Sequence, residues 1–257
     1  MLLAIDVGNT NVVFALYEGD CQKGVWRCAT DCKRTSDEYA VWLTHLMVLR
    51  GCDSSRISAA ILASVVPGAT FALKKLCRDY FACEPKVVGD PSVALGVTAL
   101  VDRPEEVGAD RLVNAVGAFG SYEPPMIVID FGTATTFDVV DVQGNYCGGV
   151  IAPGINLSLE ALHMAAAKLP RVDIVQPATV IGKGTVSCIQ SGVFWGYVGL
   201  IEGLVARIQN EFGQSMTVIA TGGLAGLFAK ATFVINHIDG DLTLRGLLLI
   251  HQRNSAS

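Results

Sequence analysis

Two aspartates end apolar runs in the same manner. "LLAIDVGNTN" places Asp6 at the close of a strand-like run and follows it with Val7, Gly8, Asn9, Thr10 and Asn11; "MIVIDFGTATT" places Asp130 likewise, ahead of Gly132 and Thr133. Turns of this composition offer backbone N–H groups, side-chain amides and hydroxyls, and a glycine lets backbone come close to a ligand, which suits phosphate. An ordinary Asn- and Gly-rich hairpin turn has the same composition for conformational reasons, so one turn alone decides nothing. Two such turns facing each other across a cleft would grip a polyphosphate. Carboxylates near one another and near phosphate require a cation, a need that Mg2+ meets by bridging carboxylate, water and phosphate oxygens. The plainer reading is that each aspartate hydrogen-bonds the backbone of its own turn.

A second constellation is "EEVGADRLVNAVGAF", with Gly108, Ala109, Asp110 and Arg111 opening an apolar helix. Asp is a favoured N-cap, stabilising a helix by about 1 kcal/mol. Set against this, Gly108 leaves room for a ligand, and an acid beside an arginine at a helix N-terminus suits a substrate that is both alcohol and anion. "GGVIAPGINLSLEAL" and "IATGGLAGLF" are glycine-rich strand-to-helix joints, and Gly222 and Gly223 could let adenine or ribose lie on bare backbone. Thr185, in "IGKGTVSCIQSG", is either a hydroxyl donor or the cap of the helix that follows.

These groups need a scaffold, and the sequence spells one twice. Each aspartate is followed by a polar turn, a second apolar strand and a glycine turn, with Gly19 thirteen and Gly144 fourteen residues after Asp6 and Asp130. Such near-equality indicates duplication. "SAAILASVVPG" and "MTVIATGG" are further apolar strands that run into helices, as in an open α/β sheet. Helices are predicted over 36–50, 69–81, 111–119, 158–166 and 186–212, the last glycine-rich and therefore a packed interdomain or subunit helix. "SYEPPM" reads as a linker, giving an N-terminal half, 1–121, and a C-terminal half, 122–257, with a cleft between them.

Composition excludes other classes. At 51% hydrophobic and 17% charged, the 257-residue chain is far from disorder. No stretch approaches ~18 uninterrupted apolar residues, so no membrane partner is expected. "MLLAI" lacks a basic region and Asp6 interrupts it, so no signal peptide is read and a cytoplasmic location is expected. A net charge of −5 without a basic cluster argues against nucleic acid. The eight cysteines form no C-x-x-C pair and the four histidines stand apart, so no zinc site is expected and most thiols should be buried.

Taken in order, "DVGNTN", "GADR", "DFGTATTFD", "GGVIAPG", "KLPRV", "IGKGTV" followed by "QSG", and "TGG" resemble the type III pantothenate kinases of the acetate and sugar kinase, Hsp70 and actin superfamily. The resemblance runs from the first strand to about Gly246. It implies an α/β chain of duplicated ribonuclease H-like (actin-like ATPase) domains. The implied activity is ATP-dependent phosphorylation of pantothenate to 4′-phosphopantothenate, the first step of coenzyme A biosynthesis. Residue by residue, it implies that Asp6, Val7, Gly8, Asn9, Thr10, Asn11, Val12 and Val13 bind ATP, with Asp6 helping to hold Mg2+ through water, and that Thr133 contacts ATP from the second loop. Gly108, Ala109, Asp110 and Arg111 would bind pantothenate, with Asp110 as proton acceptor; Asp130 would hold potassium or ammonium, and Thr185 would reach substrate across a homodimer. One departure is Val101, where many relatives carry a tyrosine seven residues before the glycine of GADR. Two other readings of the fold are a nucleotide-binding regulatory or accessory protein without pantothenate turnover and a phosphatase; a base at Asp110 favours the kinase over a pure binder.

Overall fold

Leu2–Val7 (β1) is apolar at every position but Asp6 and buried almost throughout, the pattern of a central strand covered on both faces. Its alternate side chains enter two separate cores. Leu3, Ile5 and Val7 pack with Tyr39, Leu43, Leu73 and Leu76, whereas Leu2 and Ala4 pack with Val113, Val116 and Leu247. The structure is a computed structural model that describes residues 1–166 and 169–255; Lys168, which opens the KLPRV motif, lies outside them.

The chain forms two units: Met1–Ser121 with Gly144–Tyr146 and Asp241–Ser257, and Tyr122–Gln143 with Cys147–Gly240. In the first, β1 is joined by β2 (Asn11–Glu18), β3 (Cys21–Ala29), β4 (Ala59–Ser64) and β5 (Pro85–Val87), in the order β3-β2-β1-β4-β5. Its helices are α1 (Ser36–Leu49), α2 (Pro67–Phe81) and α3 (Ala109–Phe119). Helix α1 begins in a reciprocal cap, Thr35 Oγ1 accepting the Glu38 N–H and Glu38 accepting the Thr35 N–H.

The second unit repeats the plan. Strands β6 (Met126–Phe131), β7 (Ala134–Val140), β8 (Tyr146–Pro153), β9 (Thr217–Gly222) and β10 (His237–Ile238) run in the order β10-β9-β6-β7-β8. In both sheets the first strand is antiparallel to the second and parallel to the fourth, so Asp6 lies opposite Val13 and Ala63, and Asp130 opposite Thr136 and Thr221. The paired turn glycines also match, Gly19 at φ +58° and Gly144 at φ +84°, a region open to glycine at little cost. The fold is thus α/β with a duplicated ribonuclease H-like plan. Helices α4 (Ile155–Ala165), α5 (Thr185–Phe212) and α6 (Ala225–Phe228) complete this unit. Helix α5 is long and apolar enough to cross a membrane, yet Phe194, Tyr197, Val198, Ile201 and Val205 bury one side of it in the core with Ile127, Ile129 and Phe137.

Three expectations are corrected. Residues 241–257, read with the C-terminal half, belong to the first unit, because α7 (Leu242–Arg253) packs on α3 and β1. A Cβ on Gly246 would stand 2.8 Å from Val113 Cγ1, and one on Gly117 would stand 2.5 Å from the Leu242 carbonyl oxygen. The two helices therefore cross backbone to backbone. The thiols differ too: of the eight cysteines only Cys77 is buried, and Cys21, Cys32 and Cys188 are exposed. Finally, the helix ends shift by up to three residues, with α3 and α4 starting earlier than predicted.

Candidate active site

The first unit gathers its chemistry at the carboxyl ends of β1 and β4, where ligands of open α/β sheets bind. Beyond Val7, Gly8 donates its N–H to the Asn11 carbonyl (3.0 Å), and Asn9, Thr10 and Asn11 are exposed. Gly8 has no left-handed φ, and a Cβ there would meet only Asn11 O, at 3.4 Å. The chain's own packing therefore does not demand a glycine here. Beside the turn, Val65 donates its N–H to the Val7 carbonyl (3.1 Å), and Val65 Cγ1 lies 3.7 Å from where a Gly108 Cβ would be. The backbone thus brings the start of α3 next to the first turn.

At that start, Gly108 and not Asp110 is the N-cap, which removes the capping account of the aspartate. Asp110 sits on the second helical residue, and its Oδ1 accepts the Arg111 N–H (2.8 Å). The carboxylate folds back so far that a Cβ on Gly108 would stand 2.6 Å from Oδ1. Gly108 therefore makes room for Asp110 itself. Burial pushes the Asp110 carboxyl above the usual carboxylate range, with the Arg111 N–H and guanidinium pulling the other way. A raised value makes a carboxylate a stronger base than an unperturbed aspartate.

Because only the ionised form accepts a proton, activity should fall as pH drops through this raised pKa. The acid limb of kcat/KM should then lie above the ~3.9 of an unperturbed aspartate. A pH–rate profile flat down to that value would disconnect Asp110 from the reaction.

Arg111 lies with its guanidinium carbon 5.5 Å from the centroid of the buried Tyr146 ring, a cation–π arrangement. Tyr146 is held in the first unit by Tyr146 N–H to Thr98 O (2.9 Å) and Leu100 N–H to Tyr146 O (2.8 Å). Sequence reading missed Tyr146, since nothing in a chain separation of thirty-five residues announces the contact. Val101 follows directly on this segment and is half-buried.

In the second unit Asp130 ends β6, and Gly132 and Thr133 form the turn, Gly132 donating to Ala134 O (3.1 Å). Glycines from two other motifs press on this turn. Gly154 donates to Thr133 O (3.1 Å), and a Cβ there would run into that same oxygen. Gly222, at φ +90°, would carry a Cβ 2.6 Å from Phe131 O and 2.8 Å from Asp130 Oδ1. Gly222, read with Gly223 as an adenosine-side candidate, thus has a packing reason of its own, whereas a Cβ on Gly223 would meet nothing within 4 Å. Thr185 is the first residue of α5 and not its cap; Gly184 holds that position, tied by its N–H to Ser187 Oγ (3.1 Å). The Thr185 hydroxyl is left exposed and without a capping task.

No three His, Cys, Asp or Glu side chains gather as a metal site among the described residues. Single carboxylates such as Asp6 and Asp130 fit cations held mainly by water and phosphate, the usual habit of Mg2+ in phosphoryl-transfer sites.

A sequence model of the type III pantothenate kinases matches residues 2–207. Proteins named type III pantothenate kinase from Paramagnetospirillum magneticum and Rhodospirillum rubrum are 69% and 65% identical to this chain, each over 99% of it and over 98% and 99% of their own lengths. A Campylobacter jejuni protein, provisionally described as a conserved Baf family transcriptional activator, superposes with a TM-score of 0.64 over 99% of this chain and 100% of its own, at 19% identity. At that identity the likeness carries the fold alone.

Proposed function

The chain belongs to the type III pantothenate kinase family, and on that premise we propose which residues carry its reaction. The enzyme phosphorylates pantothenate with ATP, giving 4′-phosphopantothenate in the first step of coenzyme A biosynthesis. We infer that Asp110 receives the proton of the substrate's primary hydroxyl. What supports this most is the half-buried carboxylate folded over bare Gly108, which itself holds the N-cap position.

Phosphoryl transfer through a loose transition state asks the protein for alignment and charge neutralisation more than for covalent chemistry. In this reading Gly8, Asn9, Thr10 and Asn11, within the segment 6–13, and Thr133 hold the phosphates of ATP. Gly108, which seats the Asp110 carboxylate, and Ala109 border pantothenate, and Arg111, steadied over Tyr146, balances its carboxylate. Asp110 aligns the hydroxyl early and takes its proton late. Mg2+, when bound near Asp6, supplies charge neutralisation at phosphate oxygens. Asp130 serves potassium or ammonium. A purely regulatory protein of the same fold is disfavoured by relatives at 65–69% identity that are named as the kinase, and we place the enzyme in the cytoplasm, with its ATP.

A coupled ADP-release assay with Mg2+ tests function and cation together. ADP should form only when pantothenate is present, and rates should collapse when potassium and ammonium are replaced by sodium. ADP formation indifferent to pantothenate would overturn the kinase reading, and equal rates in sodium would remove the role of Asp130.

We propose a homodimer as well. Gly192, Gly196 and Gly199 lie on one face of α5, and a Cβ on any of them would meet nothing within 4 Å. Near the exposed Thr185, Val180, Ile181 and Val186 are exposed too, Ile181 at 80%. A helix face of small residues admits a second helix at close range, and the partner's hydroxyl could then reach substrate. Light scattering should give twice the chain mass at assay concentration, and an active monomer would refute this.

A further inference from the structure

The first turn is held from outside as well as by its own Gly8–Asn11 bond: a residue from the next hairpin grips it. Thr30 follows β3, and its N–H donates to the Thr10 carbonyl (3.0 Å) while its hydroxyl donates to the Gly8 carbonyl (2.6 Å). With the Gly8 N–H bonded to Asn11 O, the carbonyls of Gly8, Thr10 and Asn11 are all occupied by donors of the chain.

The consequence follows from peptide geometry. In a trans peptide the C=O and the following N–H point in opposite directions. A Gly8 carbonyl turned to Thr30 sends the Asn9 N–H the other way, and a Thr10 carbonyl turned to β3 sends the Asn11 N–H away from β3 into the turn. Oxygens that would repel an anion are withdrawn, and N–H dipoles that would attract it are aimed outward. The backbone half of this clamp is continuous with the pairing of Asn11 and Ala29. Only the hydroxyl half depends on the side chain.

We propose that Thr30 is a positioning residue for phosphoryl transfer, whose hydroxyl fixes the Gly8–Asn9 peptide so that the turn receives the phosphates of ATP. The proposal rests on the reading of Gly8–Asn11 as a phosphate loop, and the test separates the two. Thr30→Val keeps shape and backbone N–H but removes the hydroxyl, whereas Thr30→Ser keeps the hydroxyl. Gly8→Val fills the space above the loop.

For Thr30→Val, kcat/KM for ATP should fall roughly 5- to 30-fold, the scale of one lost positioning hydrogen bond. ATP affinity, measured by calorimetry without pantothenate, should weaken in parallel. KM for pantothenate and Tm should stay near the parent, and Thr30→Ser should lie within about 2-fold of it. Gly8→Val should reduce ATP affinity further than Thr30→Val does. If Gly8→Val binds ATP normally, the loop reading falls and takes the proposal with it. If Gly8→Val is impaired while Thr30→Val matches the parent, only the role of Thr30 is overturned. Should Thr30→Val lose Tm and both substrate constants together, with no rescue by Ser, the residue is merely structural and the proposal is again overturned.

Discussion

Asp110→Asn is expected to lower turnover about 10²- to 10⁴-fold, the usual contribution of a positioned acid–base group. The amide keeps the size of the carboxylate and can still accept the Arg111 N–H, so the local geometry has no reason to change. Stability should change little. A neutral side chain gives up a favourable interaction with the helix N-terminus of about 0.3–1 kcal/mol, but it also relieves the burial that disfavours the charge in the parent. With Gly108 and not Asp110 at the N-cap, a variant that turns over pantothenate near the parent rate would leave Asp110 only its local contact with the Arg111 N–H. The measurement is kcat alongside Tm and ATP affinity, and only kcat should move.

Gly246→Ala should produce a large loss of stability from a single methyl group. The new Cβ would stand 2.8 Å from Val113 Cγ1 and 3.0 Å from the Val113 carbonyl carbon. Its neighbours are partly backbone, which cannot rotate away, so α3 and α7 must separate. Ala is the better helix former by about 1 kcal/mol, which offsets part of the strain. Overpacking of this kind costs typically 1–3 kcal/mol and sometimes more; a net loss of about 2 kcal/mol would lower Tm by roughly 4–8 °C. Because α3 carries Asp110, kcat/KM should fall with it. An unchanged Tm would mean that the helices are not locked at this crossing.

The sequence was most readable where one stretch determines its own structure. A polar turn between two apolar strands, written twice, declared both hairpins and located Asp6 and Asp130 at matching strand ends. Long apolar helices such as α1 and α5 were legible for the same local reason. What failed was tertiary. Gly246 inside α7 looks like a helix breaker until Val113 is placed against it, and Leu242–Arg253 accordingly went unread as a helix. At Asp110 a cap and a base both fitted the residue type, because the preference for Asp at caps is strong, while the identity of the true cap depends on backbone angles at Gly108. Tyr146 beneath Arg111 and Thr30 beside Gly8 are contacts of distant chain positions, and no periodicity carries them. The cysteines misled for a different reason: burial preferences describe an average, and here seven of eight lie outside the buried class.

The first unit is assembled from both sides of the second, and this orders events during synthesis. A nascent polypeptide that has reached Gly240 already contains both sheets, together with Asp6, Asp110 and Asp130. It lacks the helix that packs against α3. Leu2, Ala4, Val113 and Val116, which later share a core with Leu247, are until then an uncovered apolar surface, the kind that makes folding intermediates prone to aggregate. The second unit, contiguous but for its turn at Gly144–Tyr146, can close while the ribosome is still translating the helix that the first unit awaits. A completed first unit therefore arrives late, with α7, although Asp110 was among the earlier residues made.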